Sequence, residues 1–192
     1  MNIIEAIHGR RSIRAYRPEP VDRSLIGELI WAAVQAPTPP VSGDEPWDFL
    51  VLEGAPRIDA LGLRAKQYAY DHQPPGRPWA WADRSEFRVF WGAPVVVLIS
   101  ARHGNAEARY DCCRAAQNLM LAAYAQGLGT CWVGAPMPWL ESAGVALELG
   151  LREGFEPAVA MAVGYPAEAP RGNPRPRPAI RWAGNTSPTT SV

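Results

Sequence analysis

This sequence has few cysteines, a single lysine and no glycine-rich nucleotide fingerprint. Cys112, Cys113 and Cys131 are odd in number and irregular in spacing, which argues against a disulfide framework or a zinc site. None stands in a recognisable nucleophile–base arrangement with His8, His72 or His103. No G-x-G-x-x-G occurs, so the dinucleotide-binding signature of a doubly wound sheet is absent. Charge of one sign is lacking too: 19 basic and 19 acidic residues cancel, whereas a nucleic-acid binder shows a basic excess. The longest apolar runs, such as 93–99, fall far short of the roughly 20 residues that span a bilayer. Met1 to Glu5 has neither the basic start nor the long apolar run of a signal peptide. The expectation is a soluble protein of the reducing cytoplasm, with no metal, nucleic-acid or membrane partner.

What is present suits a globular chain. Of the 192 residues, 47% are hydrophobic and 20% charged, and this length suits one domain. We expect a single domain over 1–192, with 167–192 an Arg- and Pro-rich tail too poor in apolar residues to fold alone. Lys66 is the only lysine and lies in no candidate site; the other basic residues are arginines, whose planar forks suit carboxylate or phosphate.

Periodicity supplies the elements. Asn2 and Glu5 form a capping-box pattern for a short helix with Ile3, Ile4 and Ile7 on its apolar side, ended by Gly9. Asp22 caps a second helix, with Val21 and Ile26 placed as a hydrophobic staple and Leu25, Leu29, Ile30 and Ala33 at helical spacing. Prolines 37, 39 and 40 make 36–46 a loop. Strands are expected at 47–52, 94–100, 130–133 and 157–163. Helices are expected at 55–70, 107–126 and 139–149. The 107–126 helix is apolar nearly all round and should be central. Residues 74–78 read as a turn-rich break, followed by an aromatic segment with Trp79, Trp81, Phe87, Phe90 and Trp91. That segment is apolar enough to leave an interface patch on a monomer. Helices and strands mix without strict alternation, which favours an α+β layered fold over a doubly wound one.

Four segments carry candidate chemistry. In Arg10-Arg11-Ser12-Ile13-Arg14, guanidinium forks and a hydroxyl suit a phosphate dianion. The proline-rigid loop from Ala36-Pro37-Thr38 to Glu45-Pro46-Trp47 holds its backbone ready before a buried strand. In Gly127-Leu128-Gly129-Thr130-Cys131-Trp132-Val133-Gly134, glycines around a short strand allow a flat ligand to approach the backbone. In the tail, Arg175-Pro176-Arg177 places two more arginines on a stiff segment. Read alone, each is equally compatible with a solvated turn or a plain connection.

Together and in this order, these segments resemble the nitroreductase family of flavoproteins. The resemblance covers nearly the whole chain. It rests on R-R-S-I-R, A-P-T…E-P-W-D-F, A-P-V-V-V-L-I-S, the Q-N-L-M-L-A-A-Y-A-Q-G-L-G-T-C-W-V-G stretch, V-G-Y-P and the late R-P-R. It implies an α+β fold with a central, mostly antiparallel sheet flanked by helices, in an intertwined homodimer with FMN at the subunit interface. It further implies ping-pong transfer from NAD(P)H through FMN to a small planar acceptor of the nitroaromatic or quinone type. By position, Arg10, Arg11 and Ser12 would grip the phosphate and ribityl chain, and Arg175 or Arg177 would complete the clamp. Arg14 would lie near the flavin N1 and C2 oxygen, adding positive charge where the reduced ring is negative. Val133 and Gly134 would offer backbone near N5, with Pro39 and Trp132 also beside the cofactor. No side-chain acid or base is then required, because the cofactor carries the chemistry; Arg14 and Glu45 remain as modulators.

The loop departs from the family's N-x-Q-P-W pattern: Gly43 and Glu45 replace the amides, the loop is longer, and Pro39 and Pro40 replace small residues. An acid in the cavity wall would disfavour anionic acceptors; swung into solvent, it would do nothing. Alternative functions on the same framework are a specialised flavin dehydrogenase or dehalogenase, or a non-catalytic FMN-binding sensor or carrier.

Overall fold

The computed structural model describes residues 2–39, 45–73, 79–170, 172 and 175–183. Its centre is a four-stranded antiparallel sheet of β1 (Trp47–Glu53), β2 (Val95–Arg102), β3 (Gly129–Trp132) and β4 (Phe155–Gly164), in the order β1-β2-β4-β3. Helices cover both faces, so the architecture is α+β, as expected.

The central strands β2 and β4 are apolar almost without alternation because both of their faces are covered. On one face lie α2 (Arg23–Ala33) and α4 (Ala108–Ala125). Leu29, Cys112, Leu119 and Ala123 join Val97, Ile99, Val159 and Met161 there in one buried cluster. On the other lie α3 (Ala55–Asp71), α5 (Met137–Leu140) and α6 (Val145–Leu149). Ile58, Leu61, Trp139 and Leu140 pack there against Val96, Leu98, Ala160 and Ala162.

Local signals act where expected. Asn2 and Glu5 make the reciprocal capping box of α1 (Ile3–Gly9), and the Asp22 side chain caps α2 with Val21 and Ile26 both buried. Gln126 ends α4, and Gly127 follows at φ 75°. Cys112 is buried and Cys113 exposed on different sides of α4, and burial pushes the Cys112 thiol up to about 12.

Three expectations are corrected. The helix expected over 139–149 is split into α5 and α6, because Gly144 takes φ 83° and the Ser142 hydroxyl donates to the Trp139 carbonyl at 2.6 Å. The aromatic segment is not a bare patch. Phe90 is buried, and Trp81, Phe87 and Trp91 pack against the core of their own subunit. Conversely, the apolar side of α1 is bare: Ile3, Ile4 and Ile7 are 60%, 58% and 48% exposed. The expected break at 74–78 and residues Pro40 and Gly43 of the loop lie outside the described residues.

Candidate functional site

The arginine segment is held as a partial extra strand at the β3 edge. Ser12 bridges Thr130 in parallel fashion, and the Ile13 amide donates to the Thr130 carbonyl at 3.0 Å. Further along, the Arg17 amide donates to the Tyr165 carbonyl and the Ala167 amide to the Ala15 carbonyl, both at 2.9 Å. The segment is thus clipped between β3 and the exit of β4. Close approach to β3 depends on Gly129: a Cβ there would strike Ile13. The glycine read as room for a ligand instead makes room for the chain's own Ile13.

Arg10 and Arg11 face a cavity of about 350 Å³, walled also by Tyr124, Gly127 and the tail at Glu168 and Pro170. Arg10 is half-buried, and its Nε is buried with no hydrogen-bond partner among the described residues. Burial, then the charges of Arg175 and Arg11, pull the Arg10 guanidinium below its ordinary range. Of the two tail arginines, both exposed, Arg175 and not Arg177 is among the charges that act on Arg10. The Arg11 Nη1 is already committed, donating to the His8 and Arg10 carbonyls at 2.7 and 2.8 Å at the end of α1, a common role for a basic residue at a helix C-terminus. The tail crosses Arg11 so closely at Gly172 that a side chain there would overlap the guanidinium. The Ser12 hydroxyl is within hydrogen-bonding reach of the buried Cys131, whose thiol burial pushes up.

Arg14 lies on the other side of the segment, in a second cavity of about 330 Å³ lined by Trp79, Trp81, Trp91, Val133 and Gly134, among others. Its guanidinium carbon sits 5.5 Å from the centroid of the Trp91 ring, within cation–π range. Its backbone amide donates to the Glu168 Oε1 at 2.6 Å. The expectation for Val133 needs correction: its amide donates to the Ala160 carbonyl at 2.8 Å, because pairing with β4 runs one residue past β3. Gly134 is the backbone donor left over. Its carbonyl accepts from the Met137 amide at 3.1 Å, its N–H has no partner among the described residues, and the space where a Cβ would sit is open. Trp132 is 38% exposed on the same short strand.

Pro39 and Glu45 are not brought to either cavity. Pro39 is exposed, next to Thr38, whose hydroxyl donates to the buried Asp111 Oδ2 at 2.9 Å. Glu45 is exposed and 3.5 Å from the Arg152 Nη1, so within one subunit the solvent-facing alternative holds. Asp111 and Tyr124 mark opposite ends of α4, roughly 20 Å apart at 1.5 Å rise per residue. The loop and the arginine cluster therefore lie at opposite ends of one helix. Sequence reading missed Glu168 and the tryptophan wall. Glu168 follows the V-G-Y-P strand end that was singled out, but only the tertiary fold returns it to Arg14.

A profile of the Nitroreductase family matches residues 7–165 of this chain. The chain belongs to the nitroreductase family. Among similar sequences, a Methanothermobacter thermautotrophicus protein with a provisional NADH dehydrogenase/NAD(P)H nitroreductase name is 28% identical over 180 residues, covering 88% of this chain and 80% of that one. The 5,6-dimethylbenzimidazole synthase of Rhodospirillum rubrum is 31% identical over 175 residues, covering 83% of this chain and 79% of the synthase. In fold, the chain matches an FMN-bound nitroreductase from Bacteroides fragilis with a TM-score of 0.82 at 23% identity, over 96% of this chain and 100% of that one. These likenesses agree with the α+β layering, and no described helix of this family member is long and apolar enough to cross a membrane.

Proposed function

We propose that this chain is an FMN-dependent oxidoreductase that passes electrons from NAD(P)H to a small planar acceptor, nitroaromatic or quinone in type, by a ping-pong cycle. One observation carries the reading: the buried, unpartnered Nε of Arg10, held among Arg11 and Arg175. Three like charges gathered beside a cavity favour a dianion, and a phosphate would satisfy both the orphan donor and the mutual repulsion. When bound, FMN supplies the two-electron chemistry.

The residues present fit that group. Arg10, Arg175 and the Ser12 hydroxyl would hold its phosphate and ribityl end, with Arg11 lending charge while its Nη1 stays on the helix carbonyls. Arg14, at most roughly 14 Å further along the chain, would place positive charge at the ring edge. The Gly134 N–H, without a partner among the described residues, lies at the wall of the same cavity and would offer a backbone donor there. By gripping the remote phosphate, Arg10 would help orient the reacting ring at Arg14, the usual division between positioning and reacting groups.

We further infer that the single domain works as a homodimer whose site is completed by a second copy. The loop bearing Pro39 and Glu45 sits at the far end of α4, so only another subunit can bring it to Arg14. Ile3, Ile4 and Ile7 offer an uncovered apolar face beside Arg10. Purified protein should be yellow, with FMN equimolar to the chain, and should consume NAD(P)H steadily when given a quinone or nitroaromatic. Colourless protein that takes up no added FMN would refute the reading.

The 31% identity to a 5,6-dimethylbenzimidazole synthase favours a second, specialised reading, in which turnover yields that product. Mass spectrometric detection of 5,6-dimethylbenzimidazole in place of acceptor-dependent NAD(P)H consumption would select it.

A further inference from the structure

The peptide group that joins Ile13 to Arg14 is gripped from both sides. Its carbonyl accepts from the Tyr16 hydroxyl at 2.9 Å, and its amide donates to the Glu168 Oε1 at 2.6 Å. Tyr16 is three positions along and half-buried. Burial, then the neighbouring Cys131 and Glu168, push its hydroxyl above the ordinary range, so it stays a donor. Glu168 is 154 positions away and returns with the tail.

The side chain of Glu168 takes over where backbone pairing stops. Residues 14–17 and 165–168 lie antiparallel, with Tyr16 bridging Pro166. The Arg17 amide donates to the Tyr165 carbonyl and the Ala167 amide to the Ala15 carbonyl. At Arg14 a carboxylate stands in place of the next carbonyl. An ionised acceptor makes a shorter and stronger bond than a neutral one. Holding a peptide plane leaves the following residue only its own soft dihedrals, so the grip governs where the Arg14 side chain points. Its guanidinium carbon lies 5.5 Å from the Trp91 ring centroid. Glu168 also walls the cavity of Arg10 and Arg11. A negative charge there opposes a dianion, so phosphate binding gives no reason for an acid at this position. Its use lies on the Arg14 side.

We propose that Glu168 is a positioning residue: by fixing the Ile13–Arg14 peptide it holds the Arg14 guanidinium at the flavin edge. The proposal rests on the flavin reading above and deepens it. Glu168 touches no reacting atom and acts through Arg14. A role through space would have the opposite sign. The carboxylate by itself disfavours an anionic reduced flavin, whereas the arginine that it holds favours one. The two roles therefore move the flavin potential in opposite directions.

The test is the two-electron midpoint potential of bound FMN in wild type, Glu168→Ala and Glu168→Gln, with thermal midpoints to confirm that both variants fold. Glu168→Ala should weaken the preference for reduced over oxidised flavin about tenfold, the usual worth of one charged hydrogen bond. For a two-electron couple that lowers the potential by about 30 mV. Glu168→Gln keeps an acceptor oxygen and loses the charge, so its potential should return to the wild-type value or exceed it. An unchanged potential in Glu168→Ala makes the residue a tail contact only, and a raised one makes it a plain counter-charge; either overturns the proposal. So does a Glu168→Gln potential as low as that of the alanine variant. A second measurement needs no cofactor. Hydrogen exchange of the Arg14 amide in flavin-free protein should speed up at least about tenfold in Glu168→Ala, and by less in Glu168→Gln. Equal acceleration in the two variants, or none in the alanine variant, overturns the proposal. Wild-type protein that takes up no FMN fails the flavin reading, and the exchange rates then decide whether Glu168 fixes Arg14.

Discussion

Arg10 shows how a single residue can announce a ligand. A guanidinium whose Nε is buried and unpartnered, and whose charge is opposed by Arg11 and Arg175, is poorly satisfied by its own chain. Arg10→Ala should therefore weaken FMN binding by roughly ten- to a hundredfold, the loss expected when a charged hydrogen-bond partner is removed. Lys66, the natural-seeming control from the sequence, is unsuitable, because its ammonium donates to the carbonyls of Arg84 and Ser85 and so braces the aromatic segment. Arg57, exposed on α3, is the better control, and Arg57→Ala should leave FMN affinity unchanged in the same fluorescence titration. Equal losses in the two variants would dismiss the phosphate assignment.

At the scale of elements, the site is an arrangement of edges. The arginine segment has no helix or strand of its own, yet Ser12 and Ile13 pair with Thr130 and the tail returns at Ala167 to pair with Ala15. Two glycines around β3 have different duties. Gly129 admits Ile13, whereas Gly134 faces open space. Gly129→Ala should cost about 1–3 kcal/mol of stability through overpacking and should also weaken FMN binding by displacing the arginine segment. Gly134→Ala should leave the urea midpoint nearly unchanged. If the two variants unfold at the same denaturant concentration, Gly129 does not govern the approach of the two segments.

For the whole molecule, the question is how many copies complete the site. The covering of the sheet by α2 and α4 on one face and α3, α5 and α6 on the other leaves apolar side chains bare at both ends of the chain: Ile3, Ile4 and Ile7 in α1, Ile180 and Trp182 in the tail. Apolar surface of this kind marks association more often than chance exposure does. Light scattering should give a particle of twice 21.0 kDa. Ile4→Glu combined with Ile7→Glu should shift the population toward the single chain and lower FMN occupancy with it. A monomer in the unaltered protein would remove the proposed pairing of loop and arginine cluster.

Local chemistry was legible without the fold. The capping box at Asn2 and Glu5, the staple of Val21 and Ile26 and the central strands β2 and β4 follow from side-chain period and cap chemistry, which act within a few residues. The expectation of an all-round buried α4 is corrected: the helix buries one face and leaves Tyr110, Cys113, Arg114 and Gln117 exposed. The family resemblance followed from the same short motifs, because R-R-S-I-R and the Trp-Val-Gly strand end keep their residues together. What the sequence could not determine is anything that depends on which groups meet across the fold. Only the tertiary structure decided that the Val133 amide is taken by Ala160 while the Gly134 amide is free. It alone turned Glu45 toward Arg152 and folded the aromatic segment into a cavity wall. It also brought Glu168 back onto the Arg14 amide and left α1's isoleucines uncovered. The physical reason is the same throughout. Periodicity and caps report the residues adjacent along the chain, whereas the satisfaction of a buried donor or a charge depends on partners dozens of positions away, which are selected when the sheet pairs and its two faces are covered.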